Sequence, residues 1–175
     1  MNPLPRSITA ACLAASACTS AVVVPDGLAP RADEALAMTL PARGAQIYEC
    51  RARPRPAEGY EWTFVAPDAE LLDARGHIVG RHGAGPYWQA LDGSRITAKV
   101  KARADAPQAG AIPWLLLEAR STGPAGTFSH VTSVQRINTY GGAAPADGCT
   151  RETVGREAHV RYLAEYRFFT PRPER

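Results

Sequence analysis

The run VGRHGAGPYWQALDGS, residues 79–94, brings a titratable ring (His82), a flat indole (Trp88) and a carboxylate (Asp92) into one short stretch. A second polar group, Gln135, Arg136 and Asn138 in SVQRINT, interrupts a segment otherwise rich in β-branched residues. An amide or guanidinium placed in a core must find partners, so such residues either brace the fold or face a ligand. Trp114 adds a second indole. Aromatic surfaces beside amides and carboxylates suit sugars and other polar, flat-faced ligands. These seven residues are the ligand-binding candidates. Each also has a plain structural role open to it: sheet packing for Trp88 and Trp114, a turn for Asp92, a loop brace for His82.

Catalytic patterns are sparse. There is no G-x-S-x-G, and Ser94, Ser121, Ser129 and Ser133 have no histidine in a recognised local arrangement. His77, His82, His130 and His159 fall in four separate segments without H-x-H or H-E-x-x-H spacing, so no metal is expected. Glu61, Asp92 and Glu118 could be paired for glycoside chemistry, but any chain with 17 acids offers such pairs. The glycines of GAGPYW cannot cradle a dinucleotide phosphate: Pro86, Tyr87 and Trp88 follow the first two, and no strand–turn–helix surrounds them. No cofactor is expected.

The elements that must position these residues read as strands. In HVRYLAEYRFF, Val160, Tyr162, Ala164, Tyr166 and Phe168 share one face, while Arg161, Glu165 and Arg167 share the other, with Leu163 the exception. RITAKVKAR places Ile96, Ala98, Val100 and Ala102 inward and Arg95, Thr97, Lys99, Lys101 and Arg103 outward. A period of two marks a half-buried strand, because side chains alternate across it. AQIYEC and YEWTFVA read similarly, and IPWLLLEARS reads as a strand buried on both faces. TFSHVTSVQRINTYGG repeats its apolar residues every third position, yet its β-branched content predicts strand, with a bulge. Turn signals at 73–76, 92–93, 123–126 and 141–148 separate these runs. The expected fold is all-β: one antiparallel sandwich or barrel of about 8–10 strands.

The N-terminus predicts export. Arg6 precedes an uncharged small and apolar run that closes on ASAC, too short to span a bilayer and suited to a cleaved signal over 1–17. The same letters resemble a lipobox, with Cys18 as the lipidated residue and Ala15 where leucine is preferred. Of the four cysteines, Cys12 leaves with the signal. Lipidation of Cys18 would leave an even pair, Cys50 and Cys149, and this favours a membrane-anchored lipoprotein over a freely secreted protein. A bridge between them would close a loop of about 100 residues, worth up to about 4.7 kcal/mol by chain entropy. Residues 18–34 read as a flexible tether and 170–175 as a disordered tail, leaving 35–169 as the domain. Net charge is only +3 with Lys and Arg scattered, so no nucleic-acid partner is expected.

The ordered set GAQIYEC, EWTFVAPDAELLD, VGRHGAGPYWQALDGS, AIPWLLLEARS and GTFSHVTSVQRINTYGG, with the late cysteine, resembles the exported family called domain of unknown function 3455. The resemblance runs from about residue 35 to 169. It implies export and one compact domain, and it carries no catalytic residue across. Some members bear a malate-dehydrogenase label, which the glycine pattern above speaks against. The expected function is therefore an exported cell-envelope domain that binds a small molecule or glycan without chemistry of its own. Two alternatives stand beside it: an extracytoplasmic enzyme built around His82, and a structural or protein-interaction lipoprotein. The only membrane contact expected is a lipid anchor at Cys18.

Overall fold

A computed structural model of the chain describes residues 22–54 and 58–173. Eight strands follow in chain order: β1 (Glu34–Ala52), β2 (Tyr60–Leu72), β3 (Ile78–Gly83), β4 (Tyr87–Ala90), β5 (Arg95–Ala104), β6 (Trp114–Ser121), β7 (Ser133–Gly141) and β8 (Glu157–Pro171). Each pairs antiparallel with the next, and β8 returns to β1, closing a barrel. Of the two architectures open from the sequence, the barrel is the one formed. Closure gives every strand two neighbours, although β2 and β5 run on past the short β3 and β4. The signal residues and Cys18 lie outside the described residues.

The period of two holds where it was clearest. In β8, Tyr162, Ala164, Tyr166 and Phe168 are buried inside, while Leu163 stands exposed on the outer face among Arg161, Glu165 and Arg167. Six small residues, Ala42, Ala69, Ala90, Ala98, Ala119 and Ala164, share the interior with Trp88, Phe128, Tyr166 and Phe168. Alternating small and large side chains fill a narrow barrel without strain. The outer face bears charges such as Glu70, Arg81, Lys99, Arg120 and Arg161, the reverse of the apolar band by which a barrel sits in lipid. No helix among the described residues is long and apolar enough to cross a membrane.

Bulges explain the departures. The β5–β6 register shifts between Val100 and Ala102. Beyond it Ala102 and Ala104 pack on the outer face against Leu28, Trp114, Leu116 and Ile137, and Arg103 stays exposed while turning towards the open side of the barrel. Strand β6 is covered on both sides, as its unbroken apolar run predicts: Leu115, Leu117 and Ala119 pack inward, Trp114 and Leu116 outward.

The segment over Thr127–Thr132 is a loop and not a strand. Up to Val131 its backbone is turned on itself, the Ser129 N–H donating to Gly126 O and the Val131 N–H to Phe128 O, and only Thr132 bonds to the flanking strands, at Ala119 and Phe169. Phe128 and Val131 plug one end of the barrel, with the Phe128 and Phe168 rings 4.9 Å apart. The three-residue spacing thus reflects two loop residues in the plug, Val134 inside the barrel and Ile137 outside it.

The expected tether is not free over its second half. Residues Asp26–Leu28 form a single 3-10 turn that buries Leu28 on the outer face of β6 and β7. The tail is held as well, at least to Arg172, whose backbone N–H donates to Asp33 O at 2.8 Å and whose Nε donates to Glu34 O at 2.9 Å. Buried Glu34 locks this end: Oε1 accepts from Thr132 Oγ1 at 2.6 Å and from Ser133 Oγ at 2.8 Å, and Oε2 accepts from the Arg31 N–H at 2.9 Å.

Candidate ligand-binding site

The end opposite the plug is hollow because β3 and β4 are short. Strand β2 pairs with β3 only over Ala69–Leu72, and β5 pairs with β4 only over Arg95–Thr97. The wall is therefore missing between the first half of β2 and the second half of β5. A cavity of about 450 Å³ opens there, lined by residues of all eight strands. At its mouth Phe64, Val65 and Val100 are 50%, 40% and 57% exposed, whereas Gln46, His82, Trp88 and Tyr166 at its inner wall are at most 3% exposed.

The glycines of RHGAGP make the hairpin that stops β3 and β4. A Cβ on Gly83 would lie 2.5 Å from the Tyr87 ring, and Gly85 turns the chain at a φ of +123°. This hairpin sets His82 opposite Trp88 on the inner face. The imidazole stacks on the indole, with centroids 4.3 Å apart, and meets Tyr166 edge-on at 5.1 Å. His82 Nδ1 lies 2.8 Å from Tyr87 O, which fixes the neutral tautomer with Nδ1–H donating. Burial, together with the nearby Arg136 guanidinium, pulls its pKa down to about 3, although the bond to Tyr87 opposes this. His82 is thus a neutral ring built into the wall, and its bond to Tyr87 O also braces the hairpin.

Arg136 is the charge at the centre of the site. It points inward from β7, level with Tyr166, one inward step from Val134. Its Nε and Nη2 both donate to Pro113 O, at 3.1 and 2.9 Å. No carboxylate among the described residues pairs with it. Burial raises the phenol pKa values of Tyr48, Tyr162 and Tyr166, and the Arg136 charge partly offsets that in all three. Tyr48 Oη donates to Gly142 O at 2.6 Å, and the Tyr162 and Tyr166 hydroxyls lie 3.3 Å apart. Two buried donors, Gln46 Nε2 and Trp88 Nε1, have no partner.

Of the seven candidates from sequence, His82, Trp88 and Arg136 meet in this cavity. The other four lie elsewhere. Asp92 sits in the β4–β5 turn at the plugged end, where its carboxylate accepts from the Ser94 N–H at 2.8 Å and from the Thr127 N–H and hydroxyl at 2.7 Å each. Those bonds hold its carboxyl well below the usual carboxylate range. Trp114 and Gln135 are on the outer face beneath the N-terminal segment, and Gln135 Nε2 donates to Leu28 O at 2.6 Å. Asn138 sits at the β7 bulge with a φ of +51°, and its Nδ2 donates to Glu165 Oε2 at 3.1 Å. Asparagine tolerates that left-handed conformation better than its neighbours would.

Gln46, Tyr48, Tyr162 and Tyr166 were not among the candidates. Their signal was present: inward positions of well-patterned strands carrying polar tips where leucine would pack more simply. At the rim, Cys50 and Cys149 form a disulfide with a Cα–Cα distance of 5.3 Å, fastening the β7–β8 loop to β1. Trp62 Nε1 donates to Asp147 O of the same loop at 2.7 Å. A disulfide fits an oxidising compartment outside the cytoplasm.

Against known proteins, a family model described as "Protein of unknown function (DUF3455)" matches residues 30–170. No curated protein and no solved structure matches the chain.

Proposed function

Since the chain belongs to the DUF3455 family, whose description assigns no activity, we propose from the geometry that it is a binding protein taking one small organic ligand into the open end of the barrel. The observation that carries this reading is the hollow itself, about 450 Å³ walled by His82, Trp88, Tyr166 and an Arg136 guanidinium that no carboxylate among the described residues pairs with. The cavity lies within the size range of small-molecule sites, and eight-stranded barrels have room for one such ligand.

Binding fits the chemistry of the lining better than catalysis does. A histidine with a pKa near 3 accepts no proton at neutral pH, and phenols raised by burial release none. General acid–base work wants a group poised near the working pH. The protein is, in this reading, exported before it binds. The signal-like N-terminus and the Cys50–Cys149 bridge support export, and Cys18 is the candidate lipid anchor. Mass spectrometry of the mature N-terminus tests the anchor, and an unmodified Cys18 rules it out.

The test of binding uses a neutral probe. N-phenyl-1-naphthylamine fluorescence should rise with the native protein and saturate at one site. Val100→Trp, at the exposed mouth, should abolish the signal while leaving the melting temperature unchanged. No enhancement with the native protein, or full enhancement with the Val100→Trp variant, would remove the cavity reading.

A further inference from the structure

The site has an inverted polarity. Its mouth exposes the apolar Phe64, Val65 and Val100 beside Arg103, while its interior holds the Arg136 guanidinium next to Tyr166. A chain folding only for itself would place these the other way round. The interior donors are matched by no acid: Arg136 has no carboxylate partner among the described residues, and Gln46 Nε2 and Trp88 Nε1 have no acceptor. Arg136 spends its Nε–Nη2 edge on Pro113 O and lies close to the Tyr166 hydroxyl, and neither contact supplies a countercharge. A guanidinium edge matches the two oxygens of a carboxylate.

Resting on the binding reading above, we infer that the ligand is an amphipathic monocarboxylate, its acid group held inside on Arg136 and its apolar chain leading out past Phe64 and Val100. The volume of about 450 Å³ has room for about fifteen water-sized groups at roughly 30 Å³ each, which suits a medium-length chain. The charge of Arg136 selects an anion over a neutral head. The apolar mouth disfavours a sugar acid, whose hydroxyls would face Phe64 and Val100 without partners.

The experiment is calorimetric titration of the full chain with sodium decanoate and with methyl decanoate, a neutral ester of matched chain. Decanoate should bind at least tenfold more tightly. Arg136→Gln should bring the two affinities together, and Arg136→Lys should restore part of the preference. Should the glutamine variant fail to fold, the comparison on the native protein decides alone. Equal affinities, tighter binding of the ester, or no binding of either while N-phenyl-1-naphthylamine still binds would overturn the carboxylate assignment and leave the cavity reading standing. Failure of all three probes would remove both.

Discussion

His82 should make the fold sensitive to mild acid, well above the range in which its carboxylates titrate. The ring is 3% exposed, stacked on Trp88 and short of any acidic partner. Its pKa falls from an ordinary 6.5 to about 3 on folding, so between those values the unfolded chain holds a proton that the native state does not. Stability therefore rises with pH across that window and is lost as pH falls below 6.5. From pH 7 to pH 5 the loss is about 2 kcal/mol, following 1.36 kcal/mol for each unit between the ordinary pKa and the pH. For a domain of this size that lowers the melting temperature by on the order of 5–10 °C. The assay is urea unfolding at both pH values for the native chain and for His82→Asn, whose amide keeps a donor for Tyr87 O. The variant should be less stable at pH 7, through lost ring packing, but its loss between pH 7 and pH 5 should be smaller by about 2 kcal/mol. Parallel pH dependences in the two proteins would mean that His82 is not the buried neutral group described here.

Three further outcomes are expected. Replacing both Cys50 and Cys149 by alanine should cost up to about 4.7 kcal/mol, seen as a lower urea midpoint, because the bridge spans a sequence separation of 99. Glu34→Gln should destabilise by about 1–3 kcal/mol at neutral pH, since the amide cannot accept on both oxygens from Thr132, Ser133 and Arg31. Hydrogen bonding and the Arg31 charge outweigh burial to hold the Glu34 carboxyl below its ordinary 4.5, so the native protein's advantage over this variant is full above pH 4.5 and fades as pH falls through the lowered value. Gln46→Leu should raise the melting temperature by the equivalent of about 1 kcal/mol, because it removes a buried amide N–H without a partner. A destabilised leucine variant would show that Gln46 braces the barrel.

The barrel was legible because its longest strands obey one rule over many residues. β8 alternates for most of its length, and Asp92-Gly93 marks the β4–β5 hairpin by the positive φ that Gly93 adopts. What the pattern could not supply is where alternation breaks. The bulge at Val100–Ala102 reverses the faces that follow it, and the break near Asn138 does the same in β7. The site suffered from the same blindness. Gln135 and Arg136 are neighbours, so if one faces the cavity the other must face away, and nothing in SVQRINT says which. That choice is made by Leu28, far off in sequence, whose carbonyl takes the Gln135 amide on the outer face and leaves Arg136 to the interior. Asp92 misled for another reason. A carboxylate before glycine serves a turn and a ligand equally well on paper, and the partner that decides, Thr127, lies in a loop expected as a strand.

The two ends of the barrel are stabilised by different means, and the difference follows from the cavity. The plugged end has a packed core of Phe128, Val131 and Phe168 together with the hydrogen-bonded carboxylates Glu34 and Asp92. The open end cannot use that solution, since filling it would abolish the site, and β3 and β4 stop short of it. There the covalent bridge from Cys50 to Cys149 holds the loop that packing leaves unsupported, acting on the unfolded chain and adding no side chain to the interior. Reduction should therefore loosen the rim before the plug. Amide hydrogen exchange after reduction should speed up first around the β7–β8 loop and the N–H of Cys50, which donates to Arg156 O, and only later at the N–H of Thr132, which donates to Phe169 O. Uniform acceleration across both ends would instead make the barrel one cooperative unit and deny the rim any separate stability.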